Sequence, residues 1–111
     1  MQIGSQKHRQ EYFTVTLPKE INQSIWFLDF QIHSFQNQMD SLRKQKAEAE
    51  LKLERKEFPS AGEGRKAIRL IDEAIARAMM GIANFESQQR DLRERLVELQ
   101  EYAKAQGWTT E

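Results

Sequence analysis

Apolar residues recur along this chain at two alternating steps. One series runs Ile21, Ile25, Leu28, Ile32, Phe35, Met39, Leu42, Lys46, Ala49 and Leu53. Its steps are four and three residues, with lysine at one position. A second series runs Ile68, Ile71, Ile75, Ala78, Ile82, Phe85, Gln89, Leu92, Leu96, Leu99 and Ala103. A sustained 3.5-residue period keeps one stripe of a helix facing a partner helix. The pattern therefore predicts two coiled-coil helices, each roughly 60 Å long at about 1.5 Å per residue. Ahead of them, Tyr12–Leu17 alternates with period two. Phe13, Val15 and Leu17 share one face, and Tyr12, Thr14 and Thr16 the other. These residues favour extended backbone, so this stretch predicts a short strand.

The chain's punctuation divides it further. Pro18 follows the alternating stretch; Pro59, Gly62 and Gly64 cluster; Gly107 lies near the end. The expected organisation is an N-terminal arm with a strand (1–17) and an antiparallel helical hairpin (18–111). Within the hairpin, helices over about 18–57 and 65–106 flank a turn at about 58–64. Gly107 is placed to cap the second helix. A turn this short makes the helices antiparallel. Centring the pairing on Gly62 sets Ile25 against Leu99, Leu28 against Leu96, Ile32 against Leu92, Met39 against Phe85, Leu42 against Ile82 and Leu53 against Ile71. Two layers are then polar, with Phe35 opposite Gln89 and Lys46 opposite Ala78. The expected fold class is all-α: a long two-helix coiled-coil hairpin with a strand-like arm.

One seam between two helices buries little apolar area against the entropy of ordering the chain. Trp26, Phe27, Phe30, Leu70, Met79 and Met80 all lie off the seam. Ala67, Ala74 and Gly81 recur every seven residues beside it. Either the arm and tail fold over these positions, or two hairpins combine as a homodimeric four-helix bundle; the second is favoured, because isolated two-helix units are rarely stable. Antiparallel pairing draws Trp26, Phe27 and Phe30 toward Val97, Tyr102 and Trp108, within reach of Tyr12 and Phe13. Trp and Tyr dominate the energetics of interfaces. The candidate partner-binding residues are therefore Tyr12, Phe13, Trp26, Phe30 and Trp108. The lone strand needs a pairing edge, from a second copy or from another protein.

Thr14-Val15-Thr16-Leu17-Pro18-Lys19-Glu20-Ile21 resembles the strand-to-helix junction of ribbon-helix-helix DNA-binding proteins. The resemblance implies a strand paired across a dimer, with Tyr12, Thr14 and Thr16 facing the major groove and Lys7, His8 and Arg9 near phosphates. It covers about ten residues. Beyond it the heptads run on through Ile32, Phe35 and Met39, without the glycine break that follows the family's first helix.

Composition narrows the chemistry. Ala, Glu, Lys, Leu and Arg supply 49 of 111 residues, the bias of long helices. Seventeen Lys/Arg balance seventeen Asp/Glu, so no net field grips nucleic acid or acidic lipid. The charge is nonetheless segregated: residues 43–69 carry nine basic and five acidic side chains, and residues 70–111 five basic and eight acidic. Absence of cysteine excludes disulfides and thiolate metal sites. The longest apolar run, Ile25–Leu28, is far short of the ~18 residues of a spanning helix. No secretory signal is visible in MQIGSQKHRQ, so a cytoplasmic location is expected. Asp29 and His33 are one helical turn apart, but no further ligand has metal-site spacing. Gly62-Glu63-Gly64-Arg65-Lys66 lacks the phosphate-loop pattern. The expected protein is no enzyme and takes no cofactor or metal. It is a protein–protein interaction module: a small adaptor, regulator or inhibitor. A DNA-binding regulator with a paired N-terminal ribbon, or a structural subunit of a larger assembly, is the alternative.

Overall fold

The computed structural model describes residues 2–108. Every regular element among them is helical: α1 (Gln2–Glu11), a π-helical segment (Tyr12–Thr16), α2 (Leu17–Glu54) and α3 (Ala61–Ala105). No helix among the described residues is long and apolar enough to cross a membrane. The contacts divide the chain into two compact units. One holds the residues up to Asp29 and those from Glu86 onward; the other is Phe30–Phe85. Both long helices contribute a segment to each unit.

Every seam position named from the heptads is buried or half-buried in the unit that holds it. Ile21, Ile32, Met39, Ala49, Ala78 and Ala103 are the most deeply covered apolar residues, and Gln89 is covered with them. Burial at a fixed 3.5-residue spacing is what two helices packed along one stripe produce.

The strand expected at Tyr12–Leu17 is not formed; Tyr12–Thr16 is a π-helical turn. Two physical causes are visible. A lone strand leaves its backbone groups unpaired, whereas a helix satisfies them within the segment. Pro18 then dictates the kind of helix. Its ring would collide with the Thr14 carbonyl in a regular α-helix, and it has no N–H to donate there. The chain widens instead, and the Leu17 N–H donates to the Tyr12 carbonyl five residues back. The Thr14 hydroxyl donates to the Gln10 carbonyl at 2.7 Å, turning one supposed outward strand residue back onto its own helix.

The turn also lies earlier than its glycines suggest. α2 ends in a Schellman motif, with Lys56 in the left-handed conformation at φ 59°. The Lys56 N–H donates to the Leu53 carbonyl at 3.1 Å, and the Glu57 N–H to the Lys52 carbonyl at 2.9 Å. Ser60 then starts α3, its hydroxyl accepting from the Glu63 N–H at 3.2 Å. Gly62 and Gly64 thus belong to the first turn of α3. Gly64 is buried there, and a Cβ on it would come within 2.7 Å of Leu53 and 2.8 Å of Phe58. Close approach, not loop flexibility, requires this glycine.

The register follows the turn. Pairing in the Phe30–Phe85 unit is symmetrical about Pro59 and not about Gly62. Phe35 faces Phe85, ring centroids 5.7 Å apart, and its ring edge meets Gly81, not Gln89. Lys46 pairs with Asp72 at 2.8 Å, not with Ala78. The Asp72 carboxylate, hydrogen-bonded to the ammonium, holds the Lys46 pKa above the ordinary lysine value. A folded-state pKa raised in this way stabilises the fold fully below the unfolded value and is lost as pH rises through the folded one. Thermal melts of the protein and of Lys46→Met should therefore differ at neutral pH and converge in the alkaline range. A difference that persists there would show that the pair adds nothing.

Candidate functional site

Four aromatic side chains gather in the unit that holds the arm. Phe13 lies 5.2 Å from Tyr102 and is stacked on Trp108 at 6.2 Å. Tyr12 meets Phe13 edge-on at 5.2 Å, and Tyr102 meets Trp108 edge-on at 5.8 Å. Such offset and edge-to-face pairs add about 0.5–1.5 kcal/mol each beyond the area they bury.

Local sequence places each ring. α3 closes in a second Schellman motif with Gly107 at φ 76°. The Gly107 N–H donates to the Lys104 carbonyl at 3.0 Å and the Trp108 N–H to the Ala103 carbonyl at 2.8 Å. The cap turns the chain back and sets Trp108 beside Tyr102. Across from it, the π turn carries Phe13 inward. The Arg9 guanidinium donates to the Tyr102 hydroxyl at 2.9 Å, tying α1 to α3.

The five candidate residues thus fall into two groups. Phe13 and Trp108 are half-buried packing residues of this cluster, with Tyr12 at its margin, 44% exposed. Outside the cluster, Trp26 is 67% exposed in the same unit, and Phe30 is 62% exposed in the other. Tyr102 was not among the candidates, yet it touches both Phe13 and Trp108. Its place immediately before the seam residue Ala103 was the available signal.

Around Trp26 the surface is a shallow open groove lined by Val15, Pro18 and the indole together with the polar Thr14, Lys19, Asn22 and Gln23. Val15 is 58% exposed and Phe27 57%. A second open groove runs past Phe27, Leu28 and Leu92. Beneath, Gln89 is the one buried polar side chain among the described residues. Its amide donates to the Ile25 carbonyl at 3.1 Å and to the Asp29 carboxylate at 2.6 Å. Asp29, one helical turn before His33, is therefore engaged as an acceptor within the fold. Comparison with protein-family models, with curated proteins and with solved structures finds no match.

Proposed function

We propose that this protein is a non-enzymatic helical interaction module, an adaptor, regulator or inhibitor that docks another protein through the outer face of its first unit. One observation supports the reading above the rest: Trp26, Phe27 and Val15 are each more than half exposed on a unit whose own seam is already filled. Keeping more than half of each apolar side chain in water forgoes roughly half or more of the 1.5–3 kcal/mol that full burial would return. A rigid indole in a groove with polar lining residues is also the composition of an interface hot spot. Phe13 and Trp108 serve this reading from below, by fixing the segment that carries Val15 and Pro18.

The paired-ribbon alternative has no comparable support, since it requires an extended backbone at Tyr12–Thr16, where the chain is π-helical. Self-association through the same face remains part of the proposal, because a second copy presents the same apolar surface.

The test is affinity capture from host lysate with the protein and its Trp26→Glu variant, alongside sedimentation equilibrium of both. The expected result is a stoichiometric protein, or a second copy, held by the first and lost by the second. The helical circular dichroism and melting temperature should stay unchanged. An unfolded variant would make Trp26 a core residue. An unchanged capture set would remove the reading.

A further inference from the structure

The Phe30–Phe85 unit holds three methionines in two contrasting environments. Met39 lies in the seam, 7% exposed. Met79 and Met80 are consecutive in α3, and 54% and 72% exposed. The backbone on either side of the pair is tightly packed. Ala78 is 2% exposed, and a Cβ on Gly81 would lie 3.3 Å from the Phe35 ring. Met80 thus projects away from the seam and Met79 flanks it, both exposed on a stretch of helix that its neighbours hold in the seam. Nothing must open for a small reagent to reach them.

We propose that Met79 and Met80 form an oxidation site, at which a peroxide converts both thioethers to sulfoxides while the hairpin stays folded. The step needs no residue of the protein as a base. A sulfur lone pair attacks one peroxide oxygen and the O–O bond breaks. The sulfur gives up two electrons and gains an S–O bond. The departing oxygen leaves as hydroxide, takes the proton from the oxygen now bonded to sulfur and becomes water, leaving the sulfoxide. The product exchanges two flexible apolar groups for two polar, chiral ones, in a form that methionine sulfoxide reductases reverse. Met39 offers the same sulfur chemistry, but reaching it requires separating α2 from α3. Exposure therefore selects the pair. Both side chains belong to the exposed surface of α3 at this point. Oxidation turns this surface from apolar to polar without touching the seam.

The experiment treats the full chain with hydrogen peroxide and follows each methionine by peptide mass mapping, with circular dichroism in parallel. Met79 and Met80 should oxidise at least roughly tenfold faster than Met39, with helical content unchanged. Equal rates at all three would mean that the helices open under the reaction conditions, and would overturn the proposal. So would a pair as slow as Met39, which would mean that the pair is covered in solution, or a loss of helix that tracks oxidation of the pair. The Met79→Leu, Met80→Leu double variant supplies an independent check. It should keep its helix content and leave the Met39 rate unaltered. A faster Met39 in that variant would show that the pair shields the seam, and would equally overturn the assignment.

Discussion

Phe35→Ala is expected to destabilise the Phe30–Phe85 unit by about 2–4 kcal/mol, somewhat below a fully buried phenylalanine because the ring is half-buried. The ring bridges the two helices, contacting Phe85 and filling the space that Gly81 leaves open. Its removal therefore takes away both an aromatic pair and the plug of a notch. Gly81→Ala separates these effects. In the native protein the new methyl group gains helix propensity of about 1 kcal/mol. It also crowds the Phe35 ring at 3.3 Å, so the two terms nearly cancel. In the Phe35→Ala background the crowding is gone, and the same methyl should stabilise by about 1 kcal/mol. Urea unfolding of the four proteins gives the coupling directly. Additive effects would mean that Phe35 and Gly81 do not share the notch. The cycle is also a register test, because pairing Phe35 with Gln89 predicts no coupling to Gly81.

That register was the part of the fold least legible in the sequence. The seam itself could be read completely, because a 3.5-residue period depends only on which side chains are apolar, and each helix reports its own stripe. Which layer meets which depends on where the turn closes, and two features set this without glycine. Lys56 adopts the left-handed conformation, which composition gives no reason to assign to a lysine. Ser60 and Glu63 carry the S-x-x-E spacing of a capping box, a readable signal that marks the start of α3 before Gly62 and Gly64. Both glycines then look like loop residues when they are helical, and one of them is a packing requirement. The arm misleads for a related reason. Phe13, Val15 and Leu17 alternate as a strand would, but alternation over six residues carries no information about a pairing edge. Pro18 carried the better signal, because a helix that reaches it from the N-terminal side must widen or kink. Of the candidate residues, Phe13 and Trp108 were legible as neighbours through the antiparallel pairing of the two helices. That Trp26 faces outward follows from its heptad position next to the seam residue Ile25.

Gln89→Glu should have the largest effect of any near-isosteric change in the protein. Gln89 is 4% exposed, and its amide nitrogen donates to two oxygens, the Ile25 carbonyl and the Asp29 carboxylate. Glutamate has nearly the same shape but at neutral pH only accepts. Substitution places a buried negative charge against a carbonyl and 2.6 Å from a second carboxylate position. Leaving a buried charge uncompensated costs about 3–5 kcal/mol. The introduced carboxyl escapes part of this cost by holding its proton, so its folded-state pKa rises above the unfolded value of about 4.3. The sign of the pH dependence follows. Below the unfolded pKa the group is protonated in both states and carries no charge, but its single O–H replaces only one of the amide's two donors, so the variant should lose the charge penalty and keep the cost of one missing hydrogen bond. As pH rises through the folded-state value the penalty grows to its full size. Gln89→Leu provides the contrast: it removes the same hydrogen bonds, introduces no charge and fits an apolar seam, so its cost should be smaller and show no such pH dependence. Melting temperatures of both variants between pH 4 and 8 decide the matter. A Gln89→Glu penalty that stays constant across that range would mean that the carboxyl turns out to solvent, and that Gln89 is not the buried polar link between α2 and α3.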